Sequence, residues 1–132
     1  MAGREPNAAS VALFRDGAVL VVRRAREPMA GLWTLPGGRR EPGEGIEETA
    51  RREVAEELGI EVAGLRLVTH SRVPGWTLAV FASELGADVT PTPSDEVSDW
   101  RWVHEMELAA LETTPDLADV LALALHGPKP LA

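Results

Sequence analysis

Three glutamates, Glu53, Glu56 and Glu57, are the residues whose type and spacing most directly indicate chemistry. The spacing i, i+3, i+4 gathers their carboxylates on one side of a helix. Glu56 and Glu57 fall in its last turn, where the helix dipole disfavours negative charge. Clustered carboxylates repel one another unless a cation lies between them, and hard oxygen ligands suit Mg²⁺ or Mn²⁺. The pattern therefore indicates a divalent-cation site, with a solvated helix face as the alternative.

The helical wheel separates the two neighbouring glutamates. Glu57 falls beside the apolar face, whereas Glu56 points furthest from it. Burial raises the pKa of a carboxyl group and suits it to proton abstraction, while a metal in contact has the opposite effect. We expect Glu57 to be a metal ligand and a candidate base, with the division between the two roles left open.

A longer motif contains these glutamates. The sequence runs Gly38-x5-Glu44-x7-Arg52-Glu53-Val54-x-Glu56-Glu57-x-Gly59-Ile60. It resembles the complete box of the Nudix hydrolase family, in its small ADP-ribose pyrophosphatase-like or MutT-like branch, and a weaker resemblance covers nearly the whole chain. The resemblance implies the Nudix fold, an α/β/α sandwich with a central mixed β-sheet and the box as a loop–helix–loop. It also implies a pyrophosphohydrolase that uses Mg²⁺, with Mn²⁺ as a substitute.

The same resemblance assigns roles within the box. It makes metal ligands of Glu53, Glu56 and Glu57. The backbone carbonyl of Gly37 or Gly38 would be a further ligand. Arg52 would orient a box glutamate, and Glu44 would hold the loop or help to position metal and water. A plainer interpretation of Gly38 and Gly59 is that a Cβ there would obstruct a tight turn or the helix exit.

A candidate base lies outside the box. In several members of the family it is found on a loop before a late strand, and here Asp95 and Glu96 occupy that region. Glu96, directly before an expected strand, is the preferred candidate, with a solvated loop acid as the alternative. His70 and His104 are the other titratable candidates, although an isolated histidine is more often structural or exposed.

A basic cluster could contact substrate phosphates. It consists of Arg23, Arg24, Arg26, Arg39 and Arg40. Strand alternation sends Arg23 and Arg24 to opposite faces, so at most one can lie on the active-site side. We predict phosphate contacts for Arg23 and Arg39, because arginine suits bidentate phosphate binding. Solvated strand ends and loop are the alternative.

Tryptophan or phenylalanine must supply any base-stacking surface, since the chain has no tyrosine. Trp33 and Trp76 are the predicted substrate-binding candidates because they lie near the catalytic segments in sequence. A core position is the alternative for both, and is favoured more strongly for Trp100 and Trp102.

The elements that must position these residues follow from periodicity and turn signals. The expected strands are Ala9–Phe14, Ala18–Val22, Ile60–Val73, Trp76–Ser83 and Val97–Val103, and the expected helices are Ile46–Leu58 and Asp116–Leu125. The hairpin turns are Asp16-Gly17 and Pro74-Gly75; the loops are Pro28–Pro42 and Gly86–Ser94; Gly59 and Gly127-Pro128 end the helices, and Pro115 suits the first turn of the second. The pattern predicts one α+β domain over residues 1–132.

Composition limits the partners. The chain has 132 residues, a net charge of −8 and no cysteine, which excludes disulfides, zinc–thiolate sites and cysteine nucleophiles. The acidity argues against a nucleic-acid polymer or an anionic membrane. A polyanionic substrate would need arginines or bound cations locally. Met1–Asn7 is expected to be a frayed lead-in and Lys129–Ala132 a tail, in a cytoplasmic protein that is a monomer or a homodimer.

Substrate identity is only weakly indicated. ADP-ribose or a related nucleoside diphosphate derivative is favoured, and a (d)NTP is the alternative. Larger ADP-ribose enzymes of the family build a swapped dimer from a longer N-terminal region. This sequence has few residues before its first expected strand, which argues against that dimer and its mode of adenine binding here. A nucleotide-binding sensor without turnover is a third possibility, although such modules usually have a damaged box.

Overall fold

The computed structural model describes residues 5–73 and 75–127. Its elements are β1 (Ala8–Arg15), β2 (Ala18–Arg24), β3 (Trp33–Thr34), β4 (Gly37–Arg39), α1 (Ile46–Leu58), β5 (Arg66–Val73), β6 (Trp76–Glu84), β7 (Val97–Val103), a 3₁₀ helix (Glu105–Ala110) and α2 (Leu117–His126). The start of the expected lead-in, Pro74 of the second turn, Pro128 and the expected tail lie outside the described residues.

One mixed sheet organises the chain. Five strands follow the order β3-β2-β1-β6-β5, while β4 also pairs with β1 and β7 with β2. The pairing of β1 with β6 is parallel, with Ala8 opposite Leu78, and the other pairings are antiparallel. The expected mixed sheet and α+β class are confirmed.

The first hairpin has the predicted turn. Asp16 and Gly17 both have positive φ, 49° and 80°. Positive φ at both central residues matches the right-handed twist of the flanking strands. β1 and β2 therefore pair in register, with Arg15 opposite Ala18.

Alternation along the central strands divides the core into two layers. Val11, Leu13, Leu20 and Val22 belong to the layer that α1 covers through Val54 and Leu58. The intervening residues of both strands face the other layer, which α2 covers through Leu117, Val120 and Leu121. The fold is therefore a sheet between two helical layers, and only one of these layers contains the box.

Helix α1 has the predicted bounds. Glu48 accepts a hydrogen bond from the N–H of Gly45 at 3.1 Å, which helps to fix its start. Gly59 adopts φ 65° and its N–H donates to the carbonyl of Ala55 at 2.9 Å, so it ends the helix in the left-handed conformation that glycine permits. Arg51 and Glu47, one turn apart on the helix, form an ion pair with 3.9 Å between nitrogen and oxygen.

Some expected bounds are wrong. The predicted loop Pro28–Pro42 contains β3 and β4, which are too short to show a periodicity. The strand predicted from Ile60 begins only at Arg66. Ile60 and Val62, which precede it, are buried as residues of a strand would be. However, the carbonyls of Val62 and Ala63 accept hydrogen bonds from the Arg51 guanidinium and not from a neighbouring strand.

The C-terminal third also differs from expectation. The 3₁₀ helix was not predicted, because its six residues bury only Leu108. Asp116 is the N-cap of α2, which places Pro115 before the helix and not in its first turn. Among the described residues, no helix combines the length and apolar character needed to cross a membrane.

Candidate active site

Glu57 is the centre of the site. Only 7% of its surface is exposed, although it lies in the last turn of a helix that otherwise presents many charges to solvent. One carboxylate oxygen, Oε2, accepts a hydrogen bond from the N–H of Gly37 at 2.9 Å. The predicted difference from Glu56 is confirmed, because 54% of the Glu56 side chain is exposed.

Burial raises the pKa of Glu57 to about 8. The hydrogen bond from Gly37 opposes this shift, the negative charges of Glu53 and Glu96 add to it, and the charge of Arg24 opposes it. The carboxyl group is thus expensive to ionise where it lies. A cation bound against it would reverse that balance.

Two consecutive glycines allow β4 to approach the site. A Cβ on Gly37 would lie 2.2 Å from the carbonyl oxygen of Ala9 in β1, and a Cβ on Gly38 would lie 2.5–2.7 Å from the carboxylate of Glu53. Neither glycine has a positive φ among the backbone angles. A Cβ at Gly38 would therefore be obstructed, as predicted. The cause is close packing against Glu53, and not the tight turn that was expected.

Arg52 connects the acidic residues of the box. Its Nε donates to Glu44 at 2.6 Å, and its Nη1 contacts Glu53 at 3.0 Å and Glu56 at 3.2 Å. Its Nη2 also donates to the carbonyl of Arg39 at 2.9 Å. These bonds raise the pKa of the guanidinium, chiefly through Glu44. The expected orienting contact to a box glutamate is present for both Glu53 and Glu56.

Glu44 holds the loop before α1. It accepts hydrogen bonds from the backbone N–H of Glu41 at 3.0 Å and from the hydroxyl of buried Thr49 at 2.8 Å. The Arg52 hydrogen bond, followed by that from Glu41, lowers the pKa of Glu44 to about 2. Its carboxylate is therefore ionised and fully engaged with protein groups.

Glu53 lies between Arg52 and the glycine strand. Its side chain is 12% exposed. Burial raises its pKa, Arg52 opposes that shift, and the charges of Glu56 and Glu96 add to it. Glu53 and Glu57 are thus two carboxyl groups whose ionisation is unfavourable in the metal-free protein.

Glu96 joins the box from a distant part of the chain. The negative charge of this residue contributes to the raised pKa of both Glu53 and Glu57, so the fold places it within electrostatic range of both. Its carbonyl accepts a hydrogen bond from the N–H of Ala25 at 3.1 Å. Asp95, the other candidate in this loop, is exposed, as is Glu96 itself.

The arginine cluster is divided by the sheet. Leu20 and Val22 face the α1 layer, and Arg24 continues that alternation, in agreement with its effect on the pKa of Glu57. Arg23 instead pairs with Trp33, which faces the α2 layer. At most one of the two was expected near the site, and it is Arg24, whereas the residue selected from sequence was Arg23. Sequence alone does not reveal which face of β2 the box helix covers.

Both arginines also shape the loop that follows β2. Arg24 Nε donates to the carbonyl of Pro28 at 2.7 Å, and Arg23 Nε donates to that of Gly31 at 3.0 Å. Arg26 is exposed, and Arg40 lies 4.0 Å from Glu5. The cluster therefore has a structural use besides any contact with phosphate.

Each of three tryptophans carries an arginine on its ring. Arg39 lies 4.2 Å from the ring centroid of Trp76, Arg101 lies 4.9 Å from that of Trp33, and Arg15 lies 4.6 Å from that of Trp102. Trp33 is only 5% exposed, which is the burial of a core residue. Trp76 and Trp100 are partly buried, so Trp76 keeps the more accessible ring of the two predicted stacking candidates.

The two predicted histidine candidates are both exposed. His70 is a residue of β5, and His104 precedes the 3₁₀ helix, where its N–H donates to Glu107 at 2.7 Å. The buried carboxyl groups at the site belong to Glu53 and Glu57 instead.

The donor set fits a hard divalent cation in its chemistry. Glu53, Glu56 and Glu57 offer oxygen ligands, Glu96 adds negative charge to the same region, and a cation would relieve their repulsion. Within residues 5–73 and 75–127, however, no three acidic or histidine side chains are already gathered as a ligand set. One oxygen of Glu53 and one of Glu56 contact Arg52 instead, and one oxygen of Glu57 accepts the hydrogen bond from Gly37.

Comparison with known proteins gives a match over most of the chain. The model of the NUDIX domain family matches residues 4–124. The mouse protein named 8-oxo-dGDP phosphatase NUDT18 is 33% identical over 121 residues, which cover 91% of this chain and 38% of that protein. The chain spans about half or less of the length of the curated relatives it matches.

Solved structures agree with the fold. A NUDIX hydrolase from Nitrosomonas europaea is 25% identical with a TM-score of 0.78, covering 92% of this chain and 72% of that one. The NUDIX domain of Shewanella oneidensis NrtR, solved with ADP ribose, is 22% identical with a TM-score of 0.76, covering 89% of this chain and 84% of that one.

Proposed function

The chain belongs to the NUDIX domain family, and from that premise we propose that it is a Mg²⁺-dependent pyrophosphohydrolase acting on a nucleoside diphosphate derivative. The bond that it cleaves is the diphosphate linkage. The proposal rests above all on Glu57, a buried carboxyl group held by Gly37 and repelled by Glu53 and Glu96.

The residues that would hold the cation are the box glutamates and one glycine carbonyl. They are Glu53, Glu56 and Glu57, with Gly37 or Gly38 as the backbone ligand. A bound divalent cation supplies charge neutralisation on the diphosphate and a lower pKa for an attacking water. Arg52 holds one oxygen of Glu53 and one of Glu56, so both carboxylates would have a second oxygen to offer the cation.

The remaining residues orient and move protons. Arg52, fixed by Glu44, would orient Glu53 and Glu56 through its hydrogen bonds to both carboxylates. Glu96 is the candidate base, since it lies outside the box and its charge still affects the pKa of both Glu53 and Glu57. Arg24 adds a positive charge on the α1 side of the sheet, where an anionic substrate needs one.

The substrate is proposed from two different kinds of support. ADP-ribose fits the sequence pattern, but the ADP-ribose-bound neighbour is only 22% identical and supports the fold alone. The mouse relative, at 33% identity, is named for 8-oxo-dGDP. We therefore place an oxidised purine nucleoside diphosphate beside ADP-ribose as the substrate to test first, with (d)NTPs next.

A panel of substrates tests this proposal. The panel contains ADP-ribose, 8-oxo-dGDP, 8-oxo-dGTP, unmodified dNTPs, NADH and diadenosine polyphosphates, each with Mg²⁺, with Mn²⁺ and with excess EDTA. We expect hydrolysis of at least one nucleoside diphosphate derivative that EDTA abolishes. Glu57→Gln should lower kcat about 1000-fold with the thermal unfolding temperature retained, because a group that handles charge and protons is lost.

Matched controls separate the alternatives. Glu61→Gln, just beyond the box on an exposed residue, should leave turnover unchanged. Tight nucleotide binding with no hydrolysis across the panel would identify a sensor and contradict the proposed enzymatic activity. Full turnover in Glu57→Gln would overturn the assigned roles.

A further inference from the structure

The loop before β7 closes the open end of α1. Thr92 N donates to the carbonyl of Leu58 at 2.7 Å, and Ser94 N donates to that of Glu57 at 2.8 Å. Carbonyls in the last turn of a helix have no partner within the helix. Because α1 has no basic residue in its last turn, these two backbone donors satisfy groups that a cationic side chain often serves.

Ser94 touches the backbones of two acidic residues of the site. Its N–H binds Glu57, as above, and its hydroxyl oxygen accepts a hydrogen bond from the N–H of Glu96 at 3.3 Å. The carbonyl of Glu96 is held from the other side by Ala25 N. The peptide groups on both sides of the Glu96 side chain are therefore anchored, and one of the anchors also binds the end of α1.

The side chain of Glu96 lacks such a direct anchor, whereas that of Glu57 is held by the N–H of Gly37. Glu96 is exposed, and none of the hydrogen bonds or ion pairs found within residues 5–73 and 75–127 holds its carboxylate. The location of that carboxylate therefore depends on its backbone. A serine hydroxyl that holds this backbone relative to the end of α1 therefore limits the region that the Glu96 carboxylate can reach.

We propose that Ser94 is a positioning residue, whose hydroxyl sets the location of the Glu96 carboxylate relative to Glu57 in the candidate cation site. The inference rests on the proposed function, because it assigns Ser94 a role toward the same cation and the same reaction. It assigns no direct contact between Ser94 and substrate.

Binding of Mn²⁺ alone, followed by electron paramagnetic resonance of the free ion, tests the role without turnover. Ser94→Ala keeps the backbone donor to Glu57 but removes the acceptor for Glu96. We expect Mn²⁺ affinity about 10-fold weaker, within the range that supporting residues around metal ligands show. Ser94→Thr restores the hydroxyl and should bind as wild type does.

A matched serine controls for the loss of a hydroxyl. Ser71 donates to Asp116 at 3.3 Å, the same distance as the Ser94 contact, on a strand away from the site. Ser71→Ala should leave Mn²⁺ affinity within 2-fold. If Ser94→Ala fails to fold, the isosteric pair Ser94→Thr and Ser94→Val makes the same comparison at constant size.

Coupling to Glu96 separates positioning from a general effect on the loop. Glu96→Gln alone should weaken Mn²⁺ binding, and adding Ser94→Ala to it should change the affinity by less than 2-fold, since the charge to be positioned is gone. On a nucleotide that wild type hydrolyses, saturating Mn²⁺ should leave Ser94→Ala with kcat about 10-fold lower and KM within 2-fold.

The outcomes distinguish the two levels of the proposal. Unchanged Mn²⁺ affinity in Ser94→Ala, or a full additional loss when it is combined with Glu96→Gln, overturns the role of Ser94 and leaves the enzyme in place. Absence of Mn²⁺ binding and of hydrolysis by wild type overturns the proposed function itself.

Discussion

The two helices of this protein treat charge in opposite ways. Helix α2 has Asp119 in its first turn and His126 in its last, as the helix dipole favours, and it buries Leu117, Val120 and Leu121. Helix α1 also begins with acidic residues, but it ends with Glu56 and Glu57 and has no basic residue in its last turn. The charges of α2 suit the helix dipole at both ends, whereas those of α1 suit it only at the start.

The difference between the helices supports the proposed site at the end of α1. The unfavourable end of α1 is where a carboxyl group is buried, where two glycines allow β4 to approach, and where a distant loop supplies Glu96. The corresponding end of α2 has an exposed pair, His126 with Glu105, at 2.7 Å. Substitutions in α1 should therefore change activity most, and substitutions in α2 should change stability alone.

The largest difference is expected between two neighbouring arginines of α1. Arg52→Ala should lower kcat/KM about 100-fold, because Glu44, Glu53 and Glu56 lose the guanidinium that orients them. Arg51→Ala, which loses contacts to Glu47 and to the carbonyl of Ala63, should stay within about 3-fold of wild type by the same principle. Steady-state kinetics on purified variants measures both, and equal losses would show that the Arg52 network is not special.

In the α2 layer, the core should respond in stability alone. Leu121 is fully buried, so Leu121→Ala should lower the free energy of unfolding by about 3 kcal/mol through lost contacts and a cavity. Its kcat at 25 °C should equal that of wild type. Urea unfolding and kinetics on one preparation check this, and a large fall in kcat with intact stability would contradict the division between the layers.

In the metal-free protein at high pH, replacing Glu57 should raise the free energy of unfolding, whereas the substitutions above lower stability or activity. The folded pKa of about 8 lies above the ordinary value of 4.5, so this group's contribution to stability is fully present below pH 4.5 and is lost as the pH rises to about 8. In EDTA at pH 9, Glu57→Gln should therefore be more stable than wild type, on the order of 2 kcal/mol.

Urea unfolding in EDTA at pH 5 and pH 9 measures that gain. The two proteins should differ little at the lower pH, and Mg²⁺ should stabilise wild type more than the variant. A variant that is less stable than wild type at pH 9 would show that the buried carboxylate is not costly in the metal-free state.

The smallest effect is expected at the exposed end of α2. His126→Ala should lower the free energy of unfolding by about 0.5 kcal/mol, because surface pairs and dipole contacts contribute little in solvent. Activity should not change. A loss well above 1 kcal/mol would show that this end of α2 is more important to the fold than its exposure indicates.

The conformation of the box was predictable from local sequence. Periodicity and Gly59 predicted both ends of α1, and the helical wheel predicted that Glu57 would be buried and Glu56 exposed, because both depend only on neighbours within a few residues. The first hairpin was predictable for the same reason, since the turn at Asp16 and Gly17 determines the local register.

Properties that depend on distant contacts were not predictable in the same way. β4 has three residues and exists because it pairs with β1, and no pattern within it announces that pairing. The choice between Arg23 and Arg24 required knowledge of the face that α1 covers. The roles of Thr49 and Ser94 were missed because a lone hydroxyl gives no signal until its partners, Glu44 and Glu96, are in place.

The parallel pairing of β1 with β6 has a consequence for how the protein reaches its folded state. Ala8 lies opposite Leu78, so the central pair of the sheet forms only after the whole of α1 and β5 has been enclosed in a loop. Contacts between residues so distant in sequence cost loop-closure entropy before they contribute stability, and they slow folding. Glu57 lies inside that loop and Glu96 beyond it, so the sheet that supports both residues includes a pairing with a high entropic cost of loop closure.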